Sequence, residues 1–169
     1  MLKAQELGLE FRYEHRNSDG ELLSDSGWLE NNMTDDGIEE MYDVYFRGAA
    51  GPDGGFEIGL NQSNLSQTSS FGDLTEVTGT GYSRKAVSRD NTGFPTLSLD
   101  NGDMQVSTLT VTFENTGGAA WDGAVDGFLN STDSGGETLI CYRPLSATRT
   151  LQQGDTLDVT IKIKGDQPA

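Results

Sequence analysis

The chain has 169 residues, with 11 Lys and Arg against 27 Asp and Glu and a formal net charge of −16. That length suits one domain, 1–169, with a core of its own. The acidity argues against nucleic acid and anionic membranes as partners, because both need a cationic face. The single cysteine, Cys141, excludes an internal disulfide and any zinc site built on several thiolates. It sits in the apolar run TLICYRP and reads as a small buried hydrophobe. No apolar run of about 18 residues occurs, so no membrane-spanning helix is expected. The stretch MLKAQELGLEF has no apolar h-region, so assembly in a cytoplasm without export by that route is expected.

Leu7, Leu9, Phe11 and Tyr13 alternate with Gly8, Glu10, Arg12 and Glu14, which is the period of a strand with one wet face. NSDG, at 17–20, reads as a turn, and Leu22 to Leu29 as the returning strand of a hairpin over 7–29. Thr34 then reads as a helix N-cap, with Asp35 and Asp36 in the first turn, where the helix dipole favours anions. Ile38, Met41, Tyr42 and Tyr45 follow at i, i+3, i+4 and i+7, so a short helix over 34–46 is expected to turn that stripe into the core. GAAGPDGG breaks the helix, and Phe56 to Leu60 is a short strand.

Residues 61–81 are rich in Ser, Thr, Asn and Gly and have no clear period. A loop of this length in a compact domain tends to carry function or assembly contacts, and its composition also permits disorder. Beyond Gly81 the chain reads as strands. Tyr82 to Ser88 comes first, then Thr96 to Leu99 and a turn at DNGD, 100–103. Leu109, Val111 and Phe113 alternate with Thr108, Thr110 and Thr112. Met104 and Val106 are out of phase with that set, which predicts a bulge near Ser107. Ala124 to Leu129 is a strand, Asn130 to Glu137 a turn, and Thr138 to Tyr142 a strand ended by Pro144. QQGD, at 152–155, turns into a last strand, where Leu157, Val159, Ile161 and Ile163 alternate with Asp158, Thr160, Lys162 and Lys164. Short strands with frequent turn signals and one helix predict an all-β fold: a jelly-roll-like antiparallel β-sandwich with one short helix near the N-terminus.

Catalytic chemistry is not advertised. His15 has no second His or Cys to share a metal and, next to a turn among charges, is expected to be an exposed strand-end residue. The 27 acids allow many carboxylate pairs, which makes any one pair uninformative. NSDGE, GPDGG, DNGD and NSTDSGGE set oxygen ligands beside glycine, but none has the EF-hand spacing, and tight turns demand the same residues. No metal and no cofactor are expected. The stretch LTEVTGTGYSRKAV resembles a phosphate-cradling loop only superficially. It lacks a third glycine, and a strand follows where a helix would be needed. Its glycines are expected to let a long loop turn into a strand. Arg84 and Lys85 then fall on opposite faces, at least one of them exposed and available to an acidic neighbour.

The order IGLNQS, LTEVTGTGYSRKAVS, VTFENTGGAAWDGAVDGFLNSTDSGGETLICYRP and GDTLDVTIK resembles small virion structural proteins of tailed bacteriophages. The carrying positions are Leu74, Thr75, Glu76, Gly79, Gly81, Tyr82 and Arg84, then Val111 to Phe113, Trp121, Gly123, Val125, Phe128, Gly135, Gly136, Leu139 and Gly154 to Leu157. The resemblance spans roughly 33–164 and leaves the 7–29 hairpin as an addition. It implies a non-enzymatic part located in the virion, and it brings no catalytic residues.

The expectation drawn from it is a capsid decoration or cement protein that stabilises the shell. Such a part would bind the major capsid protein or other virion proteins and self-associate as a dimer or trimer. The alternative is a tail- or baseplate-associated adaptor, or a glycan-binding module for host recognition. Trp28, Arg84, Lys85 and Trp121 are the candidate interface residues, and Trp28 and Trp121 the candidate glycan platform.

Overall fold

A computed structural model describes residues 7–31, 33–100, 103–134 and 136–165. Two antiparallel sheets face each other. The first has the order β2 (Leu22–Asp25), β1 (Leu7–Arg16), β11 (Thr156–Gly165), β7 (Asp103–Ser107), β6 (Thr96–Asp100). In it β3 (Leu29–Asn31) also pairs with β1, and β8 (Val111–Glu114) with β11. The second has the order β10 (Gly136–Leu151), β9 (Trp121–Asp133), β4 (Phe56–Asn61), β5 (Lys85–Val87). The fold is an all-β sandwich with one short helix, α1 (Asp35–Phe46).

The alternation of β1 and β11 places the core. Leu9, Phe11 and Tyr13 lie against Ile163, Ile161 and Val159 in register, and all but the half-buried Ile163 are buried. Ile58, Leu60, Leu129 and Cys141 meet them from the second sheet. Burial pushes the Cys141 thiol well above its usual range, which keeps it protonated. The expected bulge is present. Ser107 pairs with Lys162 but Val111 with Val159, so three residues oppose two. The extra residue, Leu109, donates its N–H to Gly93 O at 2.8 Å instead.

Several expectations need correction. His15 is buried at 7% exposure, with Nε2 3.2 Å from Asp155 Oδ2. It shares the inward parity of Leu9, Phe11 and Tyr13, and that parity outweighs its charged neighbours. The segment after the first turn forms two short strands, β2 and β3, rather than one. The strand expected from Tyr82 is shorter and starts at Lys85. The turn expected over 130–137 shrinks, because β9 runs on to Asp133. The strand expected to stop at Pro144 continues to Leu151 with a register shift beyond Pro144. Proline is tolerated there because β10 is an edge strand. In the DNGD turn, positions 101 and 102 lie outside the described residues, as does position 135.

The helix is also rotated from expectation. Its inward side is Gly37, Ile38 and Met41, whereas Tyr42 and Tyr45 are exposed. The cause is the edge of β10. Thr34 N–H donates to Ile140 O at 3.0 Å, its Oγ1 donates to Leu139 O, and the same oxygen accepts from Gly37 N at 3.1 Å. One hydroxyl therefore caps the helix and ties it to a bulged strand edge that would otherwise be open. A Cβ on Gly37 would lie 2.3 Å from Ile140 O, so only glycine lets α1 approach this closely. We expect Gly37→Ala to lower stability by about 1–3 kcal/mol in urea melts, the usual cost of overpacking. Gly118→Ala, with open space around its Cβ, should stay within about 0.5 kcal/mol.

Candidate functional site

The segment 61–81 is packed onto the outer face of the second sheet. Asn61 bridges Glu76 across the segment's two ends, and Gln62 N–H donates to Thr75 O at 2.7 Å. Leu65 joins Phe128 and Leu139 in a second buried cluster, flanked by Phe71, Leu74 and Tyr142. The second sheet is thus covered on both faces. This explains the unbroken burial of β9 from Asp126 to Ser131, a stretch with no strand-like alternation in the sequence.

Arg84 is the centre of this outer layer. Its Nε donates to Glu76 Oε1 at 3.0 Å, and Nη2 reaches the same oxygen at 2.5 Å. Nη1 donates to Glu57 Oε2 at 3.1 Å and to Glu137 Oε1 at 2.6 Å. The guanidinium carbon lies 4.7 Å from the centre of the Phe71 ring. The hydrogen bond donated to Glu76 raises the guanidinium's proton affinity further, against the opposing effect of burial. Tyr82 completes the layer. Its Oη accepts from Leu60 N at 2.8 Å and donates to Glu76 Oε2 at 3.1 Å. Burial, with Glu76 nearby, pushes the Tyr82 phenol up.

The sequence places Arg84 at a surface awaiting an acidic neighbour. The structure supplies three acidic neighbours from within the chain, on β4, β10 and the loop, so Arg84 is an internal clamp. Lys85 is half-buried on the other side of β5, with Nζ 5.7 Å from the Phe113 ring centre. Neither cation is fully exposed. Trp121 is a correction as well: it is 1% exposed, packs edge-on to Tyr82 at 5.6 Å, and donates Nε1–H to Thr80 O at 3.2 Å. A Cβ on Gly79 would lie 2.3 Å from its ring, so the first glycine of GTGYSRKAV makes room for an indole rather than a phosphate. Gly81, at φ +88°, makes the sharp turn that follows.

Trp28 is 40% exposed. One face of its ring covers Lys162, whose Nζ is 3.8 Å from the ring centre and 3.3 Å from Glu10 Oε2. Glu10 Oε1 accepts from Lys164 at 2.8 Å. Trp28 is therefore a lid over a largely buried ion pair on the outer face of the first sheet. The four candidate interface residues do not converge on one site.

A feature absent from the sequence reading is a groove of about 490 Å³ between α1 and the β9–β10 turn. Asp36, Glu39, Glu40, Asp43, Asp133 and Glu137 line it. Glu40 accepts from Ser131 Oγ at 2.7 Å, and Asp43 pairs with Arg47 at 2.7 Å. The signal was available as the i, i+3, i+4, i+7 spacing of four acids within the helix. Among the described residues, no group of three or more His, Cys, Asp or Glu side chains is placed to hold a metal ion.

Fold and site together define an all-β sandwich module whose central cation and histidine are engaged in holding the fold. A family model described as podophage GP4 fiber I protein gp80 matches residues 32–163. The chain belongs to that family, one of tailed-phage virion proteins, as the resemblance in its sequence implies. The matched span begins after β1, β2 and β3, although β1 supplies Leu9, Phe11 and Tyr13 to the core. No curated protein matches the chain.

Two outcomes are expected from the buried charges. Arg84→Ala should destabilise by about 2 kcal/mol or more, since three carboxylates lose their shared partner, and limited proteolysis should then nick 61–81. Arg84→Lys should restore only part of this, lacking the planar fork. Asp126 is fully buried, and burial raises its carboxyl above the usual range although Leu65 N–H donates to it. A carboxyl raised by folding favours the native state at low pH, and that contribution is lost as pH rises through its folded value. Asp126→Asn should therefore raise the melting temperature at neutral pH and flatten its fall between acid and neutral conditions.

Proposed function

We propose that the chain is a non-enzymatic structural component of the phage tail fibre apparatus, self-associating as a dimer or trimer and contacting other virion proteins. The observation that carries this reading is the family match over 32–163, which includes all of the second sheet and the loop that covers it. The family's description as a fibre protein supports the tail-associated reading over capsid decoration. The non-enzymatic role is supported by where the reactive groups sit. His15 faces Asp155 in the interior, Cys141 is buried and protonated, and Arg84 is held by three glutamates.

Of the two tryptophans that would form a glycan platform, Trp121 is sealed in the core and Trp28 gives one face to Lys162. A structural role therefore takes precedence over glycan recognition. Gold-labelled antibodies against the chain, imaged on intact particles, test the placement. Label at the tail fibres is the expected result. Label spread over the head lattice would overturn it in favour of shell decoration.

A further inference from the structure

Three large aromatics stand in water on α1. Tyr42, Tyr45 and Phe46 are 51%, 74% and 79% exposed. Their spacing places them on one stripe of the helix. Tyr42 and Phe46 meet edge to face with centroids 6.0 Å apart, which makes a joined platform of the two rings. Beside it runs the acidic stripe of Asp36, Glu39, Glu40 and Asp43, one wall of the groove whose other wall carries Asp133 and Glu137. The third side of the helix, with Gly37 and Met41, is packed against the sandwich. Folding therefore uses one face of α1 and leaves an aromatic face and an acidic face side by side in solvent. The outer face of a helix in a monomer is ordinarily polar, and a contiguous aromatic patch there marks an interaction surface.

We propose that this aromatic and acidic face of α1 is a docking surface for a Lys- and Arg-bearing segment of another virion protein. The charge of the groove selects the occupant. Cationic side chains laid across it place their charges among the carboxylates, and their alkyl stems and cationic heads lie on the Tyr and Phe rings. A second copy of this chain is a poor occupant. Its net charge is −16, and Arg12, Arg16, Arg47, Arg84, Lys162 and Lys164, six of its 11 Lys and Arg, already form ion pairs within the chain. A neutral glycan would use the rings but gain nothing from the net negative charge of the groove, and an acidic one would be repelled. The inference rests on the fibre reading only in naming a virion protein as the source of the segment.

The test is amide NMR of the isotope-labelled full chain titrated with an oligo-arginine peptide, with oligo-glutamate and a neutral oligosaccharide as controls. Oligo-arginine should shift resonances of α1 and of residues 133–138, and the controls should shift neither. Tyr45→Ser with Phe46→Ser, and separately Asp36→Asn with Glu39→Gln, should each weaken binding about tenfold. All four side chains are exposed, so melting temperatures should hold and a loss of binding cannot be a loss of fold. Shifts spread evenly over the acidic surface would overturn the proposal. Undiminished binding by the aromatic variant, or a response to the oligosaccharide alone, would do the same. Gold on the heads with an intact α1 response would overturn the fibre placement alone, and gold on the fibres with no α1 response the docking face alone.

Discussion

Arg84 decides how the second half of this molecule is built. A planar cation with five donors can hold several carboxylates at once, and here it holds Glu57, Glu76 and Glu137 from three different segments. Without it, three acids would crowd the outer face of the second sheet in a chain that already carries a large negative charge. With it, the loop over 61–81 is drawn across that face, and Phe71 closes over the guanidinium. A polar, periodless segment thereby becomes a packed layer. The sheet beneath is buried on both sides, so β9 needs no wet face.

A second constraint acts at the edge of β10. Open strand edges invite pairing with other chains, and proteins cover them. Here the cover is the start of α1, held by the hydroxyl of Thr34 and the missing side chain of Gly37. This anchoring fixes the rotation of the helix. With Gly37 facing Ile140, Phe46 is turned to the opposite side of the helix, and Tyr42 and Tyr45 also stay exposed. The closed edge thus has an aromatic face beside an acidic groove.

The first sheet has a different unfinished surface. The β6–β7 hairpin carries Leu97 and Leu99 at 72% and 68% exposure, with Met104 opposite Leu99. In a virion part these apolar positions and the outer face of α1 are among the surfaces whose chemistry the fold leaves unpartnered. Several charged groups are already engaged within the chain. His15 meets Asp155, Lys162 meets Glu10 beneath Trp28, and Arg84 is held by three glutamates. A chain that is anionic outside and internally neutralised at its buried cations suits a structural subunit whose contacts are made by its surface.

Much of the architecture was legible because it rests on local period and turn chemistry. The alternations over 9–14 and 157–161, the Thr34 cap and the bulge near Ser107 are written in neighbouring residues, and the structure keeps them. The tailed-phage resemblance was also legible, from glycines and core positions in a fixed order. What the sequence could not determine is which partners meet across the fold. Three glutamates separated by up to 80 positions, 57 to 137, converge on one arginine only when β4, the loop and β10 are brought together. Trp121 and Trp28 look alike as exposed candidates until packing buries one and lays the other over a lysine. Local pattern marked most of the strands, and in β1, β8 and β11 most of the inward parity, while their ends were set by pairing. Tertiary contact alone decided whether each charge or ring faces solvent, because burial and ion pairing depend on segments far apart in the chain.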